Sequence, residues 1–252
     1  MANLDEIVAF LDESLNLHAI RDYPGAVNGL QIENSGTIRQ VVAAVDASLP
    51  VIEQAAASGP GTLMIVHHGM FWQGVQTITG PLRRKIAAAL HADLALYSAH
   101  LPLDVHPDFG NNILLARAIG IAQTSPLGDT GDALPGLRGR WNGSRDELLA
   151  AVGKAVGGPP HHCPGGPANP ANVAVITGGA GTEVAKVAQL GIDTFITGEG
   201  PHWSYPLAEE LQVNLIYAGH YATETFGVRA LADRLTRHFD LSSRFIDHPT
   251  GL

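Results

Sequence analysis

Leu63-Met64-Ile65-Val66-His67-His68-Gly69-Met70-Phe71-Trp72 is the stretch on which the reading of this 252-residue chain turns. An apolar run of strand character ends in two adjacent histidines, then a glycine and two aromatics. Neighbouring side chains of a strand point to opposite faces, so two imidazoles converge only where the strand ends and the backbone turns. Gly69 tolerates the backbone angles of such a turn. In an open α/β sheet, the carboxyl ends of strands are where ligands and metals sit, and imidazole is the commonest metal ligand. A surface loop carrying two solvated histidines is the competing reading.

Working outward, Val41-Val42-Ala43-Ala44-Val45-Asp46 reads as a buried strand, and a helix follows around residues 49–57. With the strand ending in His67-His68 this makes a strand–helix–strand unit with parallel strands. Pro81 suits the first turn of a helix to about residue 90. Leu94-Ala95-Leu96-Tyr97 is a further strand, running into Ser98-Ala99-His100-Leu101-Pro102-Leu103-Asp104. Three successive strands thus deliver Asp46, His67-His68 and His100/Asp104 to one edge of one sheet. Earlier, Leu4, Ile7, Val8, Phe10, Leu11 and Leu15 form a helical stripe capped by Asn3 or Asp5. Later, residues 108–119 predict a helix closed by Gly120.

Residues 121–136 shift to Gly, Pro, Thr and Asp and suggest a domain boundary. Beyond it the same grammar resumes. A strand is expected over 137–141, a helix capped by Ser144 through Val156, and a loop over 157–172. Strands follow over 173–177, 193–197 and 213–218, with helices near 182–190 and 205–211. A final helix opens at Thr223, and a short strand closes the pattern at 243–247. The expected organisation is α/β with two domains, one from 1–124 with 219–252 and carrying most of the candidate site, the other from 125–218.

Bulk properties narrow the function. The composition is 45% hydrophobic and 15% charged, that of a globular protein. Apolar runs break well short of the ~20 residues that cross a bilayer, and no signal-peptide pattern opens the chain. The single cysteine, Cys163, excludes an internal disulfide framework. A cytoplasmic protein is expected. A net charge of −9 argues against general nucleic-acid binding, which needs a basic face.

The second local motif is Gly219-His220-Tyr221-Ala222-Thr223-Glu224. Residues four apart share a helical face, so His220 and Glu224 could hold one ion between them; helix capping is the alternative role for Glu224. His100 and Asp104 repeat the spacing, although Pro102 argues against a regular helix there. The pooled metal candidates are His67, His68, Asp104, His220 and Glu224, with His100 in reserve as a general base or supporting residue. Three imidazoles and two carboxylates exceed one structural zinc and suit two divalent cations sharing a carboxylate. Zinc, manganese, iron and nickel all fit this donor set. Asp46 is expected to support or cap rather than ligate. His161-His162-Cys163 resembles a metal cluster in composition but lacks a nearby fourth ligand. Thr177-Gly178-Gly179-Ala180-Gly181 is read as a phosphate cradle or a structural turn, and Phe71-Trp72 as the apolar wall of a site.

These residues carry a resemblance. Asn28-Gly29-Leu30-Gln31, Val45-Asp46-Ala47-Ser48, His67-His68-Gly69-Met70-Phe71-Trp72, His100-Leu101-Pro102-Leu103-Asp104 with Gly110-Asn111-Asn112, Thr197-Gly198-Glu199 and Gly219-His220-Tyr221-Ala222-Thr223-Glu224 stand in the order of the blocks of the NIF-three-like family, the GTP cyclohydrolase I type 2 homologues. The chain resembles that family over nearly its whole length. The resemblance implies a NIF-three-like fold of two interlinked α/β domains with mostly parallel sheets, and a toroidal homohexamer. It also implies a dinuclear metal centre, with His67 and Asp104 on one ion, His68 and His220 on the other, and Glu224 on both. Where some members carry further histidines after Thr-Gly-Glu, this chain has Gly200-Pro201-His202-Trp203. The expected function is a metal-dependent hydrolase acting on a small molecule through a metal-bridging water, with a non-enzymatic metal-binding scaffold or metallochaperone as the alternative.

Overall fold

The computed structural model describes residues 1–128 and 134–252. Part of the Gly/Pro/Thr/Asp-rich stretch expected as a domain boundary, residues 129–133, lies outside the described residues. The chain divides into two compact units, Met1–Leu103 with Gly227–His248 and Asp104–Phe226 with Pro249–Leu252.

The first unit holds a five-stranded sheet in the order Ser242–Phe245, Gln40–Asp46, Thr62–His68, Leu94–Ser98, Gly29–Ile32. The first four strands are parallel, and Gly29–Ile32 closes the edge antiparallel. The central strands are apolar almost without interruption and fully buried at Val42, Leu63 to Val66 and Leu96. That is the signature of parallel strands covered on both faces. Helices Leu49–Ala56 and Gly80–His91, each with proline in the first turn, are the crossovers. They place Val51, Ile52, Ala55 and Ala89 in one cluster with Val42, Met64, Val66 and Leu96. Asn3 caps helix Leu4–Ser14, its side chain accepting from Asp5 N and Glu6 N. Parallel registration pairs Asp46 with His68 and Val66 with Ser98, so Gln40–Asp46 and Thr62–His68 end level and Leu94–Ser98 ends two residues earlier on the same edge.

The second unit holds a six-stranded mixed sheet: Ala122–Pro126, Leu137–Arg140, Asn172–Val175, Thr194–Thr197, Asn214–Tyr217, His161–Pro164. Its three middle strands after Leu137–Arg140 are parallel and its flanks antiparallel. Side chains alternate across this sheet as the pleat requires. Val173, Val175, Ile196 and Ile216 pack with Ile113, Leu115, Leu148 and Val152 from helices Asn111–Ile119 and Arg145–Val156. Ala174, Phe195 and Leu215 face the other way, toward Val184, Val187 and Ala208 from helices Val184–Gln189 and Ser204–Glu210. Ser144 and Glu147 form a reciprocal capping box, and Gly157 ends that helix in the left-handed conformation. Among the described residues, no helix is long and apolar enough to cross a membrane.

Four local expectations are corrected. The helix expected over 108–119 begins at Asn111, because Gly110 takes the extended conformation of an N-cap. The loop expected over 157–172 contains the strand His161–Pro164, which pairs antiparallel with Asn214–Tyr217; at a sheet edge Pro164 costs no ladder bond. Leu101–Asp104 does form a one-turn helix despite Pro102, since the first turn needs no amide from proline. The final helix is broken: His220–Thr223 is one turn, Glu224 takes φ −105° and ψ 3°, and Thr225–Phe239 follows.

Met64 is fully buried at the middle of the first core. Met64→Ala should therefore cost about 2–5 kcal/mol of unfolding free energy in a denaturant titration, and a loss below ~0.5 kcal/mol would contradict this packing.

Candidate metal centre

In the first unit, His67 and His68 end their strand and His100 follows the next one. One ring nitrogen from each of the three lies within 4.8 Å of the others. Each ring is held from behind. His67 Nδ1 lies 2.9 Å from the Ala99 carbonyl, His68 Nδ1 2.8 Å from Asp46 Oδ1, and His100 Nδ1 2.9 Å from Asp22 Oδ1. A carbonyl oxygen can only accept, so His67 Nδ1 carries the proton and Nε2 the lone pair. The carboxylates impose the same tautomer on His68 and His100, the arrangement that orients histidines toward a metal. Burial works against the charged form of Asp22, yet His100, Asn28 and the Tyr23 amide hold its pKa below the usual carboxylate value. Asp22 also receives the Leu101 amide at 2.9 Å, fixing the start of the turn that follows His100. Trp72 stands edge-on to His68 and His100, with centroids at 5.7 and 4.7 Å, and walls the cluster.

In the second unit, Glu224 is close to both Asp104 and His220. Carboxylate oxygens of Asp104 and Glu224 lie within 4.8 Å of one another, and His220 Nε2 is 3.2 Å from Glu224 Oε2. Asp104 and Glu224 are only 5% and 2% exposed. Two carboxylates buried this closely repel unless a proton or a cation sits with them. Asn111 Nδ2 donates to Asp104 Oδ1 at 2.8 Å and Thr177 Oγ1 to the same oxygen at 3.2 Å. His220 Nδ1 is tied to Glu199 Oε1 at 2.8 Å. Burial alone would lower the His220 pKa, but Glu224 and then Glu199 outweigh it and raise the value to about 9. In the absence of a cation the ring is thus an imidazolium shared between two carboxylates.

The glycine-rich turn at 177–181 is a structural support for this group. Gly178 has φ +72°, and a Cβ there would fall 2.2 Å from Glu224 Oε1. Its carbonyl accepts from the Gly198 and Glu199 amides at 2.8 and 3.0 Å, which locks the Thr-Gly-Glu segment behind His220. Gly198 is equally constrained, a Cβ there meeting the Gly178 carbonyl and His220 Cα at 2.6 Å.

Nitrogen and oxygen donors without thiolate, buried and oriented from behind, are a donor set that could hold a divalent cation. Asp46 sits behind His68, as its sequence context indicates. His100 stands with His67 and His68 rather than apart from them. Nothing local in the sequence ties Asp22 to His100, 78 positions away. Glu199 was visible only as part of a Thr-Gly-Glu block. His161-His162-Cys163 is not among the metal-capable groups of the described residues. It is an edge strand whose thiol is pushed up by burial, against thiolate formation.

The DUF34/NIF3 (NGG1p interacting factor 3) family model matches residues 2–250. The chain belongs to that family. A Deinococcus radiodurans protein named GTP cyclohydrolase 1 type 2 homolog is 41% identical over 251 residues, 98% of this chain and 94% of the relative. The Escherichia coli K12 protein of the same name is 37% identical, with 97% of each chain covered. The crystal structure of Thermus thermophilus TTHA1606 superposes with a TM-score of 0.91 at 36% identity over the whole of both chains. Reduced HcgD from Methanocaldococcus jannaschii gives 0.87 at 28%, covering 98% of each chain. These matches bear out the resemblance read from the six sequence blocks, and with it the α/β fold.

Asp46→Asn, which weakens the anchor of His68, and Gly178→Ala, which displaces the Glu224 carboxylate, should each lower zinc or manganese affinity about 10–100-fold. Metal titration by calorimetry on folded variants checks this; affinities equal to wild type in both would refute the roles given to these two positions.

Proposed function

We propose that His67, His68, Asp104, His220 and Glu224 hold two divalent cations and that the centre hydrolyses a small molecule. The single observation that carries this reading is the orientation of His67 and His68, each with Nδ1 bonded to an acceptor so that Nε2 carries the lone pair, while His220 has its Nδ1 tied to Glu199 in the same way. Two buried carboxylates close to each other add the negative charge that a pair of cations needs.

When bound, two such ions would acidify a water and polarise an attacked carbonyl, amidine or phosphoryl centre. The chain's own residues then have distinct tasks. Glu224, packed against Gly178, would supply a carboxylate to the ions. His100, with Nδ1 given to Asp22, accepts a proton at Nε2 and passes charge toward a buried carboxylate, as a general base requires. Trp72 stands edge-on against His68 and His100 and supplies an apolar side to the cluster. The names of the relatives make GTP the first substrate to try. The proposal includes assembly into a toroidal homohexamer, for which a single-chain mass in light scattering would be the contrary result.

Elemental analysis of purified protein should find about two divalent ions per chain, falling below one in Glu224→Ala and in His67→Ala. Less than one ion in reconstituted wild type overturns the metal reading. Turnover of GTP, a phosphodiester and an amide by wild type, lost in Glu224→Ala, supports the hydrolase. Full metal loading with no turnover above blank for any of them would contradict the hydrolase and leave metal binding as the function.

A further inference from the structure

A second cavity of about 720 Å³ opens in the first unit, between the segment that follows His68 and the start of helix Gly80–His91. Its chemistry differs from that of the histidine cluster. Trp72 forms one wall, Gln76, Thr77 and Thr79 supply amide and hydroxyl donors, and Lys85 supplies a cation. Thr79 precedes the helix without its hydroxyl capping an amide, and its Oγ1 lies 3.4 Å from that of Thr77. Residues 69–92 contain no aspartate or glutamate in a chain with 24 acidic residues, and they hold the consecutive cations Arg83, Arg84 and Lys85. Asp46 is a carboxylate that acts on Lys85, and it already accepts from His68 Nδ1. A local excess of positive charge and hydroxyl donors in an acidic protein favours an anion.

Position gives the anion a context. Trp72 belongs to both places: it lines the cavity and stands edge-on to His68 and His100. We propose that this cavity binds the phosphate group of a phosphorylated small molecule, with Lys85, Thr77 and Thr79 on the phosphate and Trp72 against the adjoining part of the ligand. An occupant so held extends past Trp72 toward the histidine cluster, which makes it the substrate there. That last identification rests on the proposed function, whereas anion binding in the cavity does not.

The probes are phenyl phosphate, inorganic phosphate and phenol, titrated calorimetrically into full-length protein stripped with a chelator and again into metal-loaded protein. Phenyl phosphate should bind in both states, more tightly than inorganic phosphate, and phenol should not bind. Lys85→Ala should weaken phenyl phosphate about tenfold or more, Thr79→Val severalfold, and Lys85→Arg only slightly, since a charged hydrogen bond is retained. The two hydroxyl and charge variants fail independently, so a misfolded Lys85→Ala leaves Thr79→Val and Lys85→Arg to decide. Binding confined to the metal-loaded form, binding indifferent to Lys85 and Thr79, or no binding at millimolar phenyl phosphate would overturn the proposal. If the protein takes up no metal but phenyl phosphate still depends on Lys85, the metal reading fails and the anion site stands.

Discussion

The rest of the site depends on one hydrogen bond, from His67 Nδ1 to the carbonyl of Ala99 at 2.9 Å. The amide of that same Ala99 donates to Val66 in the adjacent strand, also at 2.9 Å. The ladder between Thr62–His68 and Leu94–Ser98 therefore sets both the tautomer and the direction of a fully buried imidazole. A slip of one residue in that register would send His67 to the other face of the sheet. It would also strand a buried donor, at a cost of about 1–3 kcal/mol. The parallel core, with its apolar strands covered on both faces, keeps the register from slipping.

A related device acts at the other histidines, with carboxylates in place of the carbonyl: Asp46 behind His68, Asp22 behind His100, Glu199 behind His220. Each carboxylate makes its imidazole a better donor and holds it on the correct side. In the second unit the backbone makes room for the acid. Helix formation stops at Thr223 and resumes at Thr225. Gly178 lies so near Glu224 that a Cβ there would push the carboxylate aside. The result is a buried carboxylate fixed between a short turn and a glycine turn, close to Asp104 and His220.

The sequence made the sheet of the first unit legible because its strands are continuous apolar runs ending in chemistry-bearing residues. Asp46 does pair with His68, as the strand–helix–strand grammar implies, and Ser98 pairs two residues earlier with Val66. The helix over Arg145–Val156 was equally clear, since Ser144, Glu147 and Gly157 punctuate it locally. Other features were hidden because their causes are not local. The strand His161–Pro164 is polar and proline-bearing, and only its partner Asn214–Tyr217 makes it a strand. Strand Ala122–Pro126 is exposed, has Gln123 at φ 52° and a register shift, and so carries no alternation to read. Of the site, the histidines and acids stood out by type and spacing, whereas Asp22 and Gly178 matter through contacts made across 78 and 46 positions of chain. The lysine-bearing cavity was invisible in the same way, as a composition without a motif.

The central claim is that the histidines present Nε2 outward with Nδ1 protonated. Long-range nitrogen–proton NMR of histidine-labelled protein, before and after zinc, tests it most directly. The account predicts Nδ1–H tautomers for His67, His68 and His220 in the zinc-loaded protein, with their Nε2 resonances shifted by the metal. Nε2–H tautomers at these positions, or zinc shifts confined to His161 and His162, would contradict it.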